Sequence, residues 1–295
     1  MTFRRGLRLA GLAAGLLLAG PTLLIGEVVL ATRGGTAPPL PSGIDACVGC
    51  VDGETPLRTV WLGDSTAAGV GASLADGVVG RQVARRLGRA VEVRVLASSG
   101  GRVADVVAEQ LPRVTADAQV VFLSIGANDA THLTGLDTFS SRFRELLAGV
   151  PASACLVVLG VPDLGSPPRL AQPLRAVAGW RGRALNRRVR QLAQGSGATY
   201  VDIAGATGPA FRRDRSLFSA DGYHPDDVGY GLWAGAVTSA LGGPAAWEAL
   251  GQSGPAERGA SGQSGPAERG ASGRSGPAER GAPGGPRPAG GRTCP

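Results

Sequence analysis

The stretch Val60-Trp61-Leu62-Gly63-Asp64-Ser65-Thr66 joins a short apolar run to a Gly-Asp-Ser turn. A short continuous apolar run that ends in turn residues is typical of a strand buried on both faces of a sheet. The turn after such a strand projects its side chains from the edge of the sheet, which would suit a nucleophile at Ser65. Gly-Asp-Ser is also common turn chemistry. The interpretation of Ser65 therefore depends on the residues at the ends of the other strands.

From Arg58 to about Gly242, apolar runs alternate with helix-like stretches. The apolar runs are predicted as strands: Thr59–Leu62, Val91–Ala97, Gln119–Ile125, Ala154–Val161 and Ala198–Ile203. The stretches between and after them are predicted as helices: Asp76–Leu87, Val103–Val114, Thr138–Val150, Pro173–Gln194 and Val228–Leu241. Continuous apolar strands that alternate with helices indicate a parallel sheet covered on both faces. The fold class is thus a three-layer α/β sandwich with a parallel sheet of about five strands.

Polar segments come after four of the five predicted strands. They are Gly63-Asp64-Ser65, Ser99-Gly100-Gly101-Arg102, Gly126-Ala127-Asn128-Asp129 and, beyond the fifth strand, Asp221-Gly222-Tyr223-His224-Pro225. In open parallel α/β sheets, ligands bind outside the carboxyl ends of the strands. We therefore expect a hydroxyl, flexible backbone amides, a carboxamide and an Asp/His pair to meet at one edge of the sheet.

These groups are the ones that acyl transfer requires. Ser65 would attack a carbonyl carbon while His224 takes its proton as general base. Asp221, three residues before His224, would orient the imidazole and stabilise its positive charge. The backbone N–H groups of Ser65 and Gly100 and the amide of Asn128 would bind the oxyanion. Each segment alone has a structural explanation as a turn, loop or helix cap, but those explanations account poorly for such segments after four of the five predicted strands.

With these segments in this order, residues 58–242 resemble the SGNH, or GDSL-like, hydrolase superfamily. The resemblance implies a flavodoxin-like fold and a serine esterase or acylhydrolase without a metal or cofactor. It assigns the nucleophile to Ser65, the oxyanion donors to Ser65, Gly100 and Asn128, the orienting acid to Asp221 and the base to His224. The sequence has no Gly-x-Ser-x-Gly, which argues against an α/β-hydrolase nucleophile elbow.

Thr66 stands where the family usually has Leu. We expect this departure to alter packing more than chemistry.

Three other functions remain open at this point. An acyltransferase would use the same acyl-enzyme with an acceptor alcohol in place of water, and a binding domain could keep the fold without turnover. A metallophosphoesterase would recast Asp64, Asn128, Asp129, His132 and His224 as metal ligands, but two histidines are few for a two-metal site. The preferred hypothesis is an esterase that acts on small-molecule or envelope esters. Arg102, Arg169, Arg175 and the loop 162–173 could line its pocket.

The charge distribution argues against nucleic-acid binding. The net charge is +7, but residues 1–33 and 251–295 each contribute +3. The segment between them carries 20 Arg against 19 acidic residues. A nucleic-acid-binding protein would concentrate its basic excess on the folded domain.

Residues 1–33 are predicted as a membrane anchor or a signal peptide. Arg4, Arg5 and Arg8 precede an apolar run, Leu9–Ala31, whose only charge is Glu27. About 20 apolar residues span a bilayer, and flanking arginines stay on the cytoplasmic side. The end of the run also fits a small-residue cleavage site. Both alternatives predict an exported protein, which is tethered to the membrane if the segment is retained and secreted if it is cleaved.

The remaining segments are predicted to lie around one catalytic domain, residues 58–250. Residues 34–57 are interpreted as a Gly/Pro-rich linker in which Cys47 and Cys50 form a local disulfide. Cys155, in an apolar run, is expected to be a buried thiol, and the state of Cys294 is left open. Residues 251–295 begin with a repeat of period 11 and have few apolar residues beyond Ala, so they are predicted to be disordered.

The anchor interpretation is tested by fractionating cells that express the native chain. If the segment is retained, we expect the protein in the membrane fraction, soluble only with detergent and with its amino terminus intact. A detergent-free soluble form that begins near Thr32 would contradict this expectation.

Overall fold

A six-stranded sheet lies at the centre of the structure, a computed structural model that describes residues 39–243 and Cys294. The predicted membrane segment and the repeats of the tail lie outside these described residues. Within the described part of the chain, none of the helices combines the length and the apolar character needed to cross a bilayer.

The strands run in the order β1-β3-β2-β4-β5-β6 across the sheet. Their bounds are Ala46–Val48 (β1), Leu57–Gly63 (β2), Val91–Val95 (β3), Val120–Ser124 (β4), Cys155–Leu159 (β5) and Thr199–Val201 (β6). β1 pairs antiparallel with β3, and every other neighbouring pair is parallel. The predicted α/β fold is confirmed, with one strand more than the five that were predicted.

Helices cover both faces of the sheet. They are Ser65–Ala68 (α1), Val79–Arg86 (α2), Val103–Asp105 (α3), Ala127–Thr131 (α4), Leu136–Gly149 (α5), Leu174–Gly195 (α6), Ile203–Arg213 (α7) and Asp227–Ala240 (α8). α3 continues directly into a π-helical turn over Val106–Gln110 and a 3₁₀ turn over Leu111–Arg113, and two further 3₁₀ turns lie at Ala75–Gly77 and Arg215–Leu217. The single helix predicted over Val103–Val114 is therefore irregular.

Successive residues of the strands supply two separate hydrophobic cores. Trp61 of β2 stacks on Phe122 of β4 with ring centroids 4.3 Å apart, and both pack with α2, α7 and α8. Leu62 and Leu123 point to the other face and pack with α3, α5 and α6. This alternation is the period-two geometry of strands, and it explains why all these runs read as continuously apolar.

The register of the central strands brings two of the predicted site segments to the same level. Gly63, the last residue of β2, pairs with Ser124, the last residue of β4. The Asp64 N–H then donates to the Ser124 carbonyl oxygen at 3.0 Å. The turns after these strands, which carry Ser65 and Asn128, therefore leave the sheet side by side.

Part of the predicted linker belongs to the sheet. Ala46–Val48 forms β1, and the Asp45 carboxylate accepts a hydrogen bond from the Val95 N–H at 2.8 Å. Cys47 and Cys50 form the predicted disulfide. The prediction missed the strand because three residues at a sheet edge carry no detectable periodicity.

The expectation of a free thiol at Cys155 was wrong. Cys155, the first residue of β5, is bonded to Cys294, with their Cα atoms 5.0 Å apart. Cys155 is buried, as its apolar context indicated, but its partner lies 139 residues away, which local patterns do not reveal. The bond is at the amino ends of the strands, opposite the edge where Ser65 lies.

Removing the long-range disulfide should destabilise the oxidised protein. The bond closes a loop with a sequence separation of 139, so Cys294→Ser should lower the free energy of unfolding in urea by about 2–4 kcal/mol. The control is the double substitution of Cys47 and Cys50 by Ser, which opens a loop with a separation of only 3. An equal or larger loss of unfolding free energy in the control would contradict the expectation that the disulfide with the longer loop contributes more stability.

Candidate active site

Gly63 and Asp64 position Ser65 at the start of α1. Gly63 has φ +141°, and a side chain there would collide with the Ser124 carbonyl oxygen. The Asp64 carboxylate caps α1, accepting from the Thr66 N–H at 2.9 Å and the Thr66 hydroxyl at 2.7 Å. The first N–H groups of a helix have no acceptor within it. The N–H of Ser65, the first residue of α1, is therefore available to a ligand.

A buried glutamine holds the turn in place. Gln110 Oε1 accepts from the Gly63 N–H at 2.8 Å, and Gln110 Nε2 donates to the Gly63 carbonyl at 2.8 Å and to Ser98 Oγ at 3.2 Å. One carboxamide thus joins the turn before Ser65 to the loop after β3. The sequence analysis missed Gln110. The available signal was a polar residue at an otherwise apolar position of the predicted helix Val103–Val114.

The structure brings Ser65, His224 and Asp221 into one hydrogen-bonded chain. His224 Nε2 lies 2.9 Å from Ser65 Oγ, and His224 Nδ1 lies 2.6 Å from Asp221 Oδ2. Ser65 and Asp221 are buried, with 7% and 5% of their surfaces exposed. A serine hydroxyl beside an imidazole that a carboxylate orients is an arrangement capable of nucleophilic catalysis.

The hydrogen bonds of Asp221 keep its carboxylate ionised. Burial raises its pKa, but hydrogen bonds from the His224 ring, the His224 and Tyr223 N–H groups and the Ser219 hydroxyl outweigh burial, so that the pKa lies well below its usual range. Asp221 Oδ1 accepts from Ser219 Oγ at 2.8 Å, the Tyr223 N–H at 2.8 Å and the His224 N–H at 3.0 Å. The second oxygen, Oδ2, is left to accept a hydrogen bond from the imidazole Nδ1. The proton of the neutral ring is thereby held on Nδ1, and the unprotonated Nε2 faces Ser65.

Asn128 contacts the loop after β3, Ser99-Gly100-Gly101-Arg102, which we call the glycine loop. Asn128 Nδ2 donates to the Gly101 carbonyl at 2.9 Å. A carboxamide has two N–H donors, so one remains for a ligand. Gly101 is buried, whereas Gly100 is exposed with φ +80° and open space where a side chain would lie. Asn128 thus binds the Gly101 carbonyl, and the Gly101 N–H donates to the Ser98 carbonyl at 3.3 Å.

The carboxylates that a metal site would need are used by the protein itself. Asp129 Oδ2 accepts from the Val103 N–H at 3.0 Å, and burial raises its pKa. Burial also raises the pKa of Asp64 to about 6, against the effect of its bonds from Thr66. His132 Nδ1 lies 2.9 Å from the Asn128 carbonyl oxygen. Across the described residues, no three His, Cys, Asp or Glu side chains converge as metal ligands.

Two cavities adjoin the site. A small cavity of about 40 Å³ touches Ser65 and His224 and has the aromatic walls Phe211, Phe218 and Trp233. A larger cavity of about 470 Å³ shares Asn128 and Tyr223 with the small one.

The three arginines that were predicted as candidates to line the pocket lie in different environments. Arg169 lines the larger cavity, and the Arg175 guanidinium donates to the carbonyls of Leu170 and Pro168, which orders the loop 162–173. Arg102 is exposed, with its Nε 3.7 Å from Asp105 Oδ2. Of these three arginines, Arg169 is the one with a place in a cavity wall.

Comparison with known proteins agrees with this geometry. The model of the GDSL-like lipase/acylhydrolase family matches residues 61–232. A GDSL-like esterase of Mycobacterium tuberculosis is 35% identical over 195 residues, which are 63% of this chain and 62% of that protein. The aligned region thus spans less than two thirds of the relative's length.

Solved structures share the fold. An acetyl xylan esterase from Geobacillus stearothermophilus is 21% identical, with a TM-score of 0.50 over 64% of this chain and 96% of that one. A lipase from a goat rumen metagenome is 19% identical, with a TM-score of 0.50 over 62% of this chain and 97% of that one. At these identities the likeness establishes the fold alone.

The two glycines of the site should respond differently to alanine. Gly63→Ala should prevent folding or abolish activity, because the added carbon would displace the Ser124 carbonyl. Gly100→Ala should remain folded and lose about 1–2 kcal/mol of stability, since only its left-handed backbone opposes the change. Thermal unfolding and esterase assays of both variants measure the difference. A stable, active Gly63→Ala protein would contradict the assigned turn geometry.

Proposed function

The chain belongs to the GDSL-like lipase/acylhydrolase family, and from this premise we propose that it hydrolyses carboxylic esters through an acyl-enzyme on Ser65. The observation that carries the proposal is the 2.9 Å contact between Ser65 Oγ and His224 Nε2. On the other side of the imidazole, Asp221 Oδ2 lies 2.6 Å from His224 Nδ1. A neutral imidazole in this position removes the hydroxyl proton as the oxygen attacks.

In the first half-reaction, Ser65 Oγ attacks the ester carbonyl carbon and its proton passes to His224 Nε2. The tetrahedral intermediate then collapses, and the leaving alcohol oxygen takes that proton from the imidazolium. Asp221 remains ionised throughout and stabilises the positive ring. In the second half-reaction, water attacks the acyl-enzyme with His224 again as base, which releases the acid and restores Ser65.

The oxyanion of each tetrahedral intermediate needs donors that are already in place. We assign this role to the Ser65 N–H at the start of α1 and to the remaining N–H of the Asn128 carboxamide. The third donor is assigned to the Gly100 N–H, because the Gly101 N–H donates to the Ser98 carbonyl at 3.3 Å and the Gly101 carbonyl accepts from Asn128. Gln110 positions both the turn and the loop through its bonds to Gly63 and Ser98.

The small cavity favours a compact group next to the scissile bond. Its 40 Å³ corresponds to roughly three water-sized spheres at about 10–15 Å³ each. An acetyl or similarly short acyl group would fit against its aromatic walls, so short-chain esters are the substrates that the site supports best.

We also propose that the protein is exported. All four cysteines are paired, as Cys47–Cys50 and Cys155–Cys294, and such bonds persist in oxidising compartments. The amino-terminal arginines and apolar run support export through a membrane anchor or a cleaved signal. Esters of the cell envelope or of the surroundings would then be the accessible substrates.

The serine mechanism is tested by the hydrolysis of 4-nitrophenyl acetate by the full chain. Ser65→Ala should lower kcat by at least about 10⁴-fold, Asp221→Asn by about 10⁴-fold and Asn128→Ala by about 10²–10³-fold. Ser153→Ala is the matched control, because this exposed serine precedes β5 at the opposite edge of the sheet. It should retain wild-type activity.

The same assay with EDTA separates the serine mechanism from a metal-dependent one. Activity should be unchanged by the chelator and should still require Ser65. Loss of activity with EDTA, or full activity in folded Ser65→Ala, would contradict the proposal.

A further inference from the structure

The larger cavity beside the site has no role in the mechanism described so far. Its volume of about 470 Å³ lies in the range of about 300–1,000 Å³ that holds small organic ligands. The cavity shares Asn128 and Tyr223 with the small cavity at Ser65. A molecule whose ester group lies at Ser65 can therefore extend into it.

The wall of this cavity combines apolar and cationic groups. Leu170, Leu174 and Val177 provide apolar surface, and Arg169 and Arg181 provide positive charge. Among the described residues that line it, none is Asp or Glu. An anionic group bound there would meet two guanidinium groups without an opposing carboxylate in the wall.

Arg181 has hydrogen-bonding capacity that the protein does not use. Its Nη2 donates to the Thr134 carbonyl at 2.7 Å, which fixes the guanidinium between α6 and the loop before α5. Its Nε is buried without a hydrogen-bond partner. A guanidinium has five N–H donors, and since Arg181 also lines the cavity, its remaining Nη donors are available to an oxygen of an anion bound there.

Tyr223 lines both cavities. Its ring packs edge-to-face against His224, with centroids 5.1 Å apart. Burial and the charges of Asp64 and Asp221 raise its pKa to about 12, and the charge of Arg169 acts in the opposite direction. The Tyr223 hydroxyl therefore stays protonated and lies within the field of Arg169.

We propose that the larger cavity is a subsite for the anionic part of an amphipathic ester, bound by Arg181 and Arg169 with Tyr223 as the wall next to the reacting group. The proposal rests on the esterase function proposed above and specifies the class of substrate. The ligand is an ester that carries a carboxylate or phosphate together with an apolar group. The anion does not react, so its binding should act mainly on KM and leave kcat nearly unchanged.

The test compares matched anionic and neutral esters on the full-length protein. 4-Acetoxybenzoate and 4-acetoxybenzamide place the difference in charge in the alcohol part. The hemisuccinate and butyrate esters of 4-nitrophenol place it in the acyl part. Arg181→Gln should lower kcat/KM for at least one anionic ester about tenfold, as expected for loss of a charge-assisted hydrogen bond. Its neutral partner should change less than about twofold.

Three controls make the comparison specific. The intrinsic reactivity of each ester cancels when wild type and variant are compared on the same substrate. Arg188→Gln removes an exposed arginine of the same helix that is not in the cavity wall. This variant should leave kcat/KM unchanged for both the anionic and the neutral esters. Added salt at about 0.5 M should reduce the preference of the wild type, since it screens charges beyond a few ångströms.

Arg169→Gln provides a second test if Arg181→Gln lowers the melting temperature. Two results would overturn the proposal. One is that both arginine variants retain the preference for anionic esters, and the other is that the wild type shows no such preference in either pair of esters. Hydrolysis of the neutral esters would in that case leave the esterase function standing. Failure of the wild type to cleave any of the four esters would contradict the esterase function itself.

Discussion

The close approach of Gly63 to the Ser124 carbonyl, at the carboxyl ends of β2 and β4, is the constraint on which the site depends. A side chain at position 63 would occupy the space of that carbonyl, so the turn can form here only with glycine. Both backbone groups of Gly63 are bonded to Gln110, and the Asp64 N–H bonds to Ser124. The orientation of Ser65 results from these contacts because α1 begins at this residue.

Buried carboxylates organise the rest of the site, and each has a different task. Asp64 caps α1, Asp129 binds the Val103 N–H behind the glycine loop, and Asp221 holds His224. Their environments separate their pKa values: burial dominates at Asp64 and Asp129, whereas four hydrogen bonds dominate at Asp221. This separation keeps the charge at Asp221, where the mechanism requires it.

Much of this arrangement was predictable from sequence because it depends on periodicity and on the residue types at the strand ends. Buried parallel strands are continuous apolar runs, and the segments after them carry Ser65, Asn128 and His224. Features that depend on distant partners were not predictable. Examples are the disulfide from Cys155 to Cys294, the bonds of Gln110 and the hydrogen bond from Asn128 to the Gly101 carbonyl. The two cavities likewise arise from side chains of several elements that no local pattern connects.

The central claim is that Ser65 is a nucleophile activated by His224. The most direct measurement is reaction of the full chain with a fluorophosphonate, followed by mass spectrometry of its peptides. The account predicts a single adduct on Ser65 that forms in wild type and is lost when His224 is replaced by Ala. An adduct on another serine, or an equally fast reaction of Ser65 without His224, would contradict it.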